Sequence, residues 1–364
     1  MPRRHDNLFP QIATFQALRI AARTAIKGKR KKPGAAAFQF GLERELLRLE
    51  HELQSQTFKT GHYIEIELKR PKHRIVSAAP FRDRVVHHAL INVVGPLFER
   101  GFIGHSFANR KGKGTHKAIS AYEHYRDRNA HVLRCDIFRY FPCIDHEILK
   151  QDFRRHVACK KTLWLMDRIV DGSNFQEPVH LHFLGDDLLS PLERRRGLPI
   201  GNLTSQFSAN VYLNPLDHFV TEVLRAPYVR YVDDFALFHD DAARLAEWRE
   251  RIAHFLAKRR LRLHPRKTII LPTAEPSEFL GFVLSANGKR ALPEANVRTF
   301  KGRLKGMIAA MRAGTLSAEH ARMRIDSWSA HADHAHARGM KRAILGRGVN
   351  ALRPGPDRLF ARTA

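Results

Sequence analysis

Two aspartates stand side by side in an apolar, aromatic run, YVRYVDDFALF, from Tyr228 to Phe238. Aspartate is a poor strand former, and the residues around Asp233 and Asp234 are good ones. Two carboxylates about 4 Å apart repel by about 4 kcal/mol at an effective dielectric near 20. A surface turn relieves that repulsion by splaying the side chains into water; a divalent cation reverses it. A third aspartate, Asp136, ends another apolar stretch, LRCDIFRYF. Three carboxylates gathered by a fold make a hard, all-oxygen site suited to Mg²⁺. Two such ions a few ångströms apart clamp the attacking and leaving oxygens of a phosphoryl transfer. Most Asp-Asp pairs are merely surface turns, and this chain has two more. Asp186-Asp187 reads as a loop and Asp240-Asp241 as a helix N-terminus, where aspartate is favoured.

The elements that must position these carboxylates follow from periodicity. Leu42, Leu46, Leu49 and Leu53 recur at helical spacing. Ile64, Ile66 and Leu68 alternate with Glu65 and Glu67, the period of a half-buried strand; KRPKHR is the turn of a hairpin and IVSA its return. Phe81 to Gly101 reads as a helix with Gly101 at its stop. HVLRCD is a strand ending at Asp136, and Pro142 forbids a clean helix until DHEILKQDFRRHV. Leu181 to Gly197 is irregular. SQFSANVYLNPLDHFVTEVL is a helix, YVRYVDDFALF a hairpin with the aspartates at its bend, and SEFLGFVLS one short strand. Leu245, Trp248, Ile252 and Phe255 or Leu256 stripe an amphipathic helix. The last 70 or so residues read as helical, then Gly/Pro/Arg-rich. The mixture predicts an α+β core with a separate helical part.

Composition narrows the partners. The 364 residues carry 63 Lys+Arg against 36 Asp+Glu, a net charge of +27 spread along the chain. Such a field favours a polyanion, and nucleic acid is the usual one. An acidic membrane surface is the rival, but no basic amphipathic helix with an aromatic insertion face stands out. No apolar run is long enough to span a bilayer, and MPRRHDNLFPQIATF lacks the apolar core of a signal peptide. Cys135, Cys143 and Cys159 fit neither a disulfide framework nor zinc-ligand spacing. The expectation is a reduced, cytoplasmic protein.

Tyr-x-Asp-Asp on a hairpin resembles the hallmark of reverse transcriptases, and further blocks agree in order. KRPKHRIVSAAPFRDRVVHHALINVV resembles their fingers block and SFANRKGKGTHKAI the next. LRCDIFRYFPCIDHEIL and GLPIGNLTSQFSANVYLNPLD resemble palm motifs, as do LRLHPRKTII and FLGFVLS after the hairpin. SWSAHADHAHARGM resembles a thumb segment. The resemblance implies a right-hand polymerase with fingers over 1–115, palm over 116–290 with an insertion at about 145–197, and a short helical thumb with basic tail over 291–364. It implies that Asp136, Asp233, Asp234 and the Ile137 carbonyl bind two Mg²⁺ ions, with Mn²⁺ as a substitute. Phe141 matches the aromatic gate that would collide with a ribose 2′-hydroxyl; as a bare residue it reads equally as core. Lys72 and Arg74 match residues that hold the incoming nucleotide, although alone they read as an exposed turn. Lys267 matches a lysine near the pyrophosphate, a candidate general acid. RKGKGTH lacks the full spacing of a nucleotide-hydrolase loop. His331, His334 and His336 lack a zinc frame and read as packing or RNA contact.

The block Ile200 to Gln206, IGNLTSQ, separates members of the superfamily. Most carry Gln-Gly-x-x-x-Ser-Pro there; Ile200, Gly201 and Gln206 resemble instead the enzymes of diversity-generating retroelements. That resemblance implies copying of a structured template RNA into cDNA with errors opposite adenine, for mutagenic retrohoming. It implies as partners the template RNA and RNA/cDNA duplex, dNTPs, and a small basic oligomeric accessory protein. A reverse transcriptase of antiviral defence, or of another retroelement, is the alternative. Two readings from other classes are an RNA-binding scaffold, which has no use for three placed carboxylates, and an RNA polymerase, which has no use for a gate at Phe141.

Overall fold

A computed structural model of the chain describes residues 4–68, 73–174, 176, 178–286 and 288–350. Among these residues the strands are β1 (Ile64–Leu68), β2 (Arg74–Ala78), β3 (His131–Asp136), β4 (Tyr228–Tyr231), β5 (Asp234–His239), β6 (Ile269–Pro272), β7 (Ser277–Phe279), β8 (Phe282–Leu284) and β9 (Arg290–Ala291). They form a two-stranded ribbon β1-β2, a four-stranded sheet in the order β4-β5-β3-β6, and a three-stranded sheet β7-β8-β9. The pairs β1-β2, β3-β5, β4-β5, β7-β8 and β8-β9 are antiparallel. The chain packs as two units. One takes in the described residues up to Ala121 together with His131–Ile270; the other takes in Tyr122–Ala130 with the described residues from Leu271 on.

In the first unit the core lies around β3 and β5. Val132, Leu133, Cys135, Phe235, Ala236, Leu237 and Phe238 are all buried. The helix Ala242–Lys258 covers these strands with Leu245, Trp248, Ile252 and Leu256, the stripe expected from its spacing. Asp241 caps it, its carboxylate accepting from the Ala243 N–H at 2.8 Å. The helix Phe81–Glu99 buries Val85, Val86, Leu90, Val94 and Phe98, and packs against the helices Phe15–Ile26 and Leu203–His218. Pro215 lies inside the latter, which then widens into a π-turn over Phe219–Val223.

Four local expectations need correction. β1 is not half-buried: all five of its residues are exposed, in a ribbon of only two strands. SEFLGFVLS is two strands, because Leu280 and Gly281 both take positive φ (48° and 83°) and reverse the chain. Two successive left-handed residues are what a tight hairpin turn requires. Pro142 does not exclude helix: it sits in a single turn, Tyr140–Cys143, where a missing N–H leaves no bond unmade. The irregular stretch also holds a short helix, Ser190–Glu193.

The second unit carries the helices Glu294–Arg312, Ala318–Ala332 and Arg338–Asn350. Phe300 stacks on Trp328 with centroids 3.7 Å apart, beside buried Leu304, Met307 and Ile325. His331 packs on Phe282, and the His336 ring accepts from the Arg290 N–H. Among the described residues no helix is long and apolar enough to cross a membrane.

Candidate active site

Strand register brings the aspartates together. Asp136, the last residue of β3, lies directly opposite Asp234, the first of β5. Opposed residues of an antiparallel pair present their side chains on one face. β4 and β5 are joined by only Val232 and Asp233, since Tyr231 pairs with Asp234. Val232 has φ 58°, the left-handed conformation that the first residue of such a loop needs. A β-branched residue is strained there. The Ile137 N–H donates to the Asp233 carbonyl at 3.2 Å, which pins the loop beside the end of β3. Ile137 itself is buried.

Lys267 reaches the same place from 131 residues away. The His264 N–H donates to the Asp136 carbonyl at 2.7 Å, and the Phe138 N–H to the Arg262 carbonyl at 2.9 Å. This lays 262–264 along the end of β3. A turn follows, in which the Lys267 and Thr268 amides donate back to the His264 carbonyl. Lys267 Nζ then donates to Asp136 Oδ2 at 2.6 Å. Burial pushes the Asp233 carboxyl up to about 6, reinforced by the negative charges of Asp136 and Asp234 and opposed by Lys267.

The donor set is hard oxygen, the class that Mg²⁺ prefers. Among the described residues, no group of three His, Cys, Asp or Glu side chains is arranged to hold a metal ion. Asp136 is engaged by Lys267.

A hydrogen-bonded seam joins the other candidates. Arg139 takes φ 45° before the short helix Tyr140–Cys143. Tyr140 is buried and donates its hydroxyl to the Ala209 carbonyl at 2.6 Å. Phe141 packs edge-on against it, centroids 5.6 Å apart. The Phe141 carbonyl accepts from the Leu198 N–H at 3.0 Å, and the Ile200 carbonyl accepts from the Ser77 N–H of β2 at 3.1 Å. Gly201 has φ 105°, and a Cβ there would lie 2.7 Å from Val76 Cγ1. Gln206 is half-buried in the first turn of the helix Leu203–His218, its N–H donating to the Asn202 carbonyl. Arg74 opens β2, opposite Leu68; Lys72 lies outside the described residues. RKGKGTH is latched by its own cations: Arg110 to Glu99 and to the Ile103 and Ser106 carbonyls, Lys113 to the Gly104 carbonyl.

Sequence reasoning passed over three residues. The buried Asn202 amide donates to the Ser77 carbonyl at 2.8 Å and accepts from the Ala79 N–H at 3.2 Å. Arg230 and Asp217 form a fully buried ion pair under the Asp233 loop. The signal for Arg230 was present: an arginine at an inward position of an otherwise apolar strand.

Aspartates thus stand at the ends of adjacent antiparallel strands, with a lysine on one of them. Residues 66–284, well over half the chain, match the reverse transcriptase (RNA-dependent DNA polymerase) family, and the chain belongs to it. It is similar to Protein YkfC of Escherichia coli (strain K12), 22% identical over an alignment covering 85% of this chain and 93% of that protein. It is also similar to the Putative COX1/OXI3 intron 1 protein of Saccharomyces cerevisiae, 21% identical over 181 residues. That alignment covers 49% of this chain and 20% of the yeast protein. The protein is an RNA-directed DNA polymerase.

Proposed function

We propose that the enzyme copies a structured template RNA into cDNA and introduces errors at template adenines, as in a diversity-generating retroelement. The observation that carries the catalytic part is the register of Asp136 against Asp234, with a desolvated Asp233 between them. In this reading residues 1–115 supply the fingers, 116–290 the palm, and 291–364 the thumb and basic tail.

Asp136, Asp233, Asp234 and the Ile137 carbonyl would hold two Mg²⁺ ions, for which Mn²⁺ substitutes. Such ions lower the pKa of the primer 3′-hydroxyl and neutralise the pyrophosphate leaving group. The aspartates contribute fixed negative charge on rigid strand ends, so positioning is built in before substrate arrives. Lys267, released from Asp136, protonates the departing pyrophosphate. Lys72 and Arg74, the latter at the start of β2, hold the incoming nucleotide. Phe141 excludes a ribose 2′-hydroxyl. Ile200 leaves an apolar patch where a glutamine would hydrogen-bond, and an apolar site discriminates less sharply than a polar one. Four exposed leucines, Leu184, Leu188, Leu189 and Leu192, supply apolar surface of the kind partner proteins cover. They are the proposed contact for the small basic oligomeric accessory protein.

The test is sequencing of cDNA made by purified protein from the RNA encoded beside its gene, with Asp233→Ala as control. Errors concentrated at adenines, absent in the control, support the reading. Faithful cDNA leaves the polymerase intact and points to antiviral defence or another retroelement. Ile200→Gln is expected to lower the adenine error rate; an unchanged rate removes Ile200 as the determinant.

A further inference from the structure

We propose that Arg230 is a positioning residue for the catalytic hairpin, acting through the carbonyl of Val232. The inference rests on Asp233 and Asp234 being the catalytic carboxylates.

The backbone of β4 does not need the Arg230 side chain. On one edge Arg230 pairs with Phe235 of β5. On the other its N–H donates to the His105 carbonyl and its carbonyl accepts from the Phe107 N–H, both at 3.0 Å. The strand is thus fixed from both sides by main-chain bonds.

The guanidinium does something else. It is fully buried. Nε and Nη2 donate to the two Asp217 carboxylate oxygens, each at 2.6 Å. Tyr228 donates its hydroxyl to the same carboxylate at 3.0 Å. Nη1 donates to Asn210 Oδ1 at 3.2 Å and to the Val232 carbonyl at 3.0 Å. Asn210 and Asp217 both belong to the helix Leu203–His218, and Asn210 is itself anchored by donating to the Ala108 carbonyl at 2.9 Å. A forked, planar donor held at three points therefore presents its remaining N–H to the residue just before Asp233.

That residue carries the strain. Val232 sits at φ 58°, a conformation that a branched side chain keeps only when its surroundings over-determine it. The bond from Nη1 fixes the peptide that leads into Asp233. A buried ion pair is weak as a source of stability, since apolar replacements of similar size are often neutral or better. Burying this one makes sense if it delivers a hydrogen bond that an apolar pair cannot.

The test uses the full chain and primer extension on an RNA template. The paired change Arg230→Met with Asp217→Leu removes both charges together and is expected to leave the fold intact by circular dichroism. Its kcat is expected to fall by about a hundredfold, the scale of an ångström-sized misplacement. KM for dNTP should stay within about threefold, because the fork does not touch the nucleotide. Adding Val232→Gly, which accepts positive φ without help, should recover at least about tenfold of the lost rate. If the pair change fails to fold, Arg230→Lys keeps the charge opposite Asp217 and reads the same quantities. A folded variant with wild-type kcat overturns the inference, and so does a loss that Val232→Gly leaves untouched. Primer extension that survives Asp233→Ala and Asp234→Ala would instead defeat the catalytic assignment on which the inference rests.

Discussion

At the residue scale, Asp233 is a carboxyl buried against its own charge. Its carboxyl is pushed up to about 6 by burial and by Asp136 and Asp234, against an unfolded value near 3.9. The folded chain therefore binds this proton more tightly than the unfolded chain. The group's contribution to stability is fully present below about pH 4 and is lost as pH rises through about 6. Asp233→Asn removes that loss. Without divalent ions its melting temperature should exceed wild type at pH 8 and converge with it as pH falls below about 4, while polymerase activity falls by about a thousandfold or more. Equal melting temperatures at pH 8 would mean that the carboxylate is not under electrostatic pressure. Protons and cations also compete for this oxygen. The Mg²⁺ concentration for half-maximal activity should rise as pH falls below about 6, and a flat Mg²⁺ requirement from pH 8 to 5.5 would remove Asp233 from the metal site.

At the element scale, the seam between β2 and the 199–202 turn decides where the nucleotide-side ribbon stands. An isolated two-stranded hairpin is marginal in water, and all five residues of β1 are exposed. Its anchors include the Ile200 and Asn202 bonds to Ser77 and Ala79 and the Asn174 amide, which donates to Glu65 and Ser77. Asn202→Ala deletes two of them, at about 1 kcal/mol each. The expected result is faster proteolysis of the ribbon and a several-fold rise in KM for dNTP, with little change in melting temperature. Gly201→Ala should give a similar rise, since its Cβ would meet Val76 at 2.7 Å in a strained backbone. These contacts also mark what sequence could reveal. Asp136, Asp233 and Asp234 were legible because acids stand out in apolar strands. The stripe of the helix Ala242–Lys258 was legible because periodicity is local. Asn202 bonds to residues 123 and 125 positions away, and no spacing rule reaches that far. The hairpin at Leu280-Gly281 was missed because a leucine rarely takes positive φ. Helices Phe15–Ile26 and Lys160–Asp171 went unmarked.

At the scale of the whole molecule, charge governs the grip on template. A net charge of +27 predicts binding dominated by phosphate contacts. If six to ten phosphates are engaged, affinity for template RNA should fall about a thousandfold or more between about 50 and 200 mM salt. A flat response in a titration by fluorescence anisotropy would argue for recognition through bases or partners instead.

The β1-β2 ribbon also has a consequence for how the free protein behaves in a crowded solution. Ile64, Ile66, Leu68 and Ile75 are 45–65% exposed, and among the described residues no strand pairs with the outer edge of β1. An open apolar edge is a template for strand addition by another copy. Mutual repulsion between highly cationic molecules keeps such edges apart. Salt that screens the repulsion should let them meet, so light scattering from RNA-free protein is expected to climb with ionic strength. Bound template should suppress it by covering the ribbon. Colloidal stability in this enzyme is then a property of its charge, and the surface that makes it sticky is the one proposed to face the nucleotide.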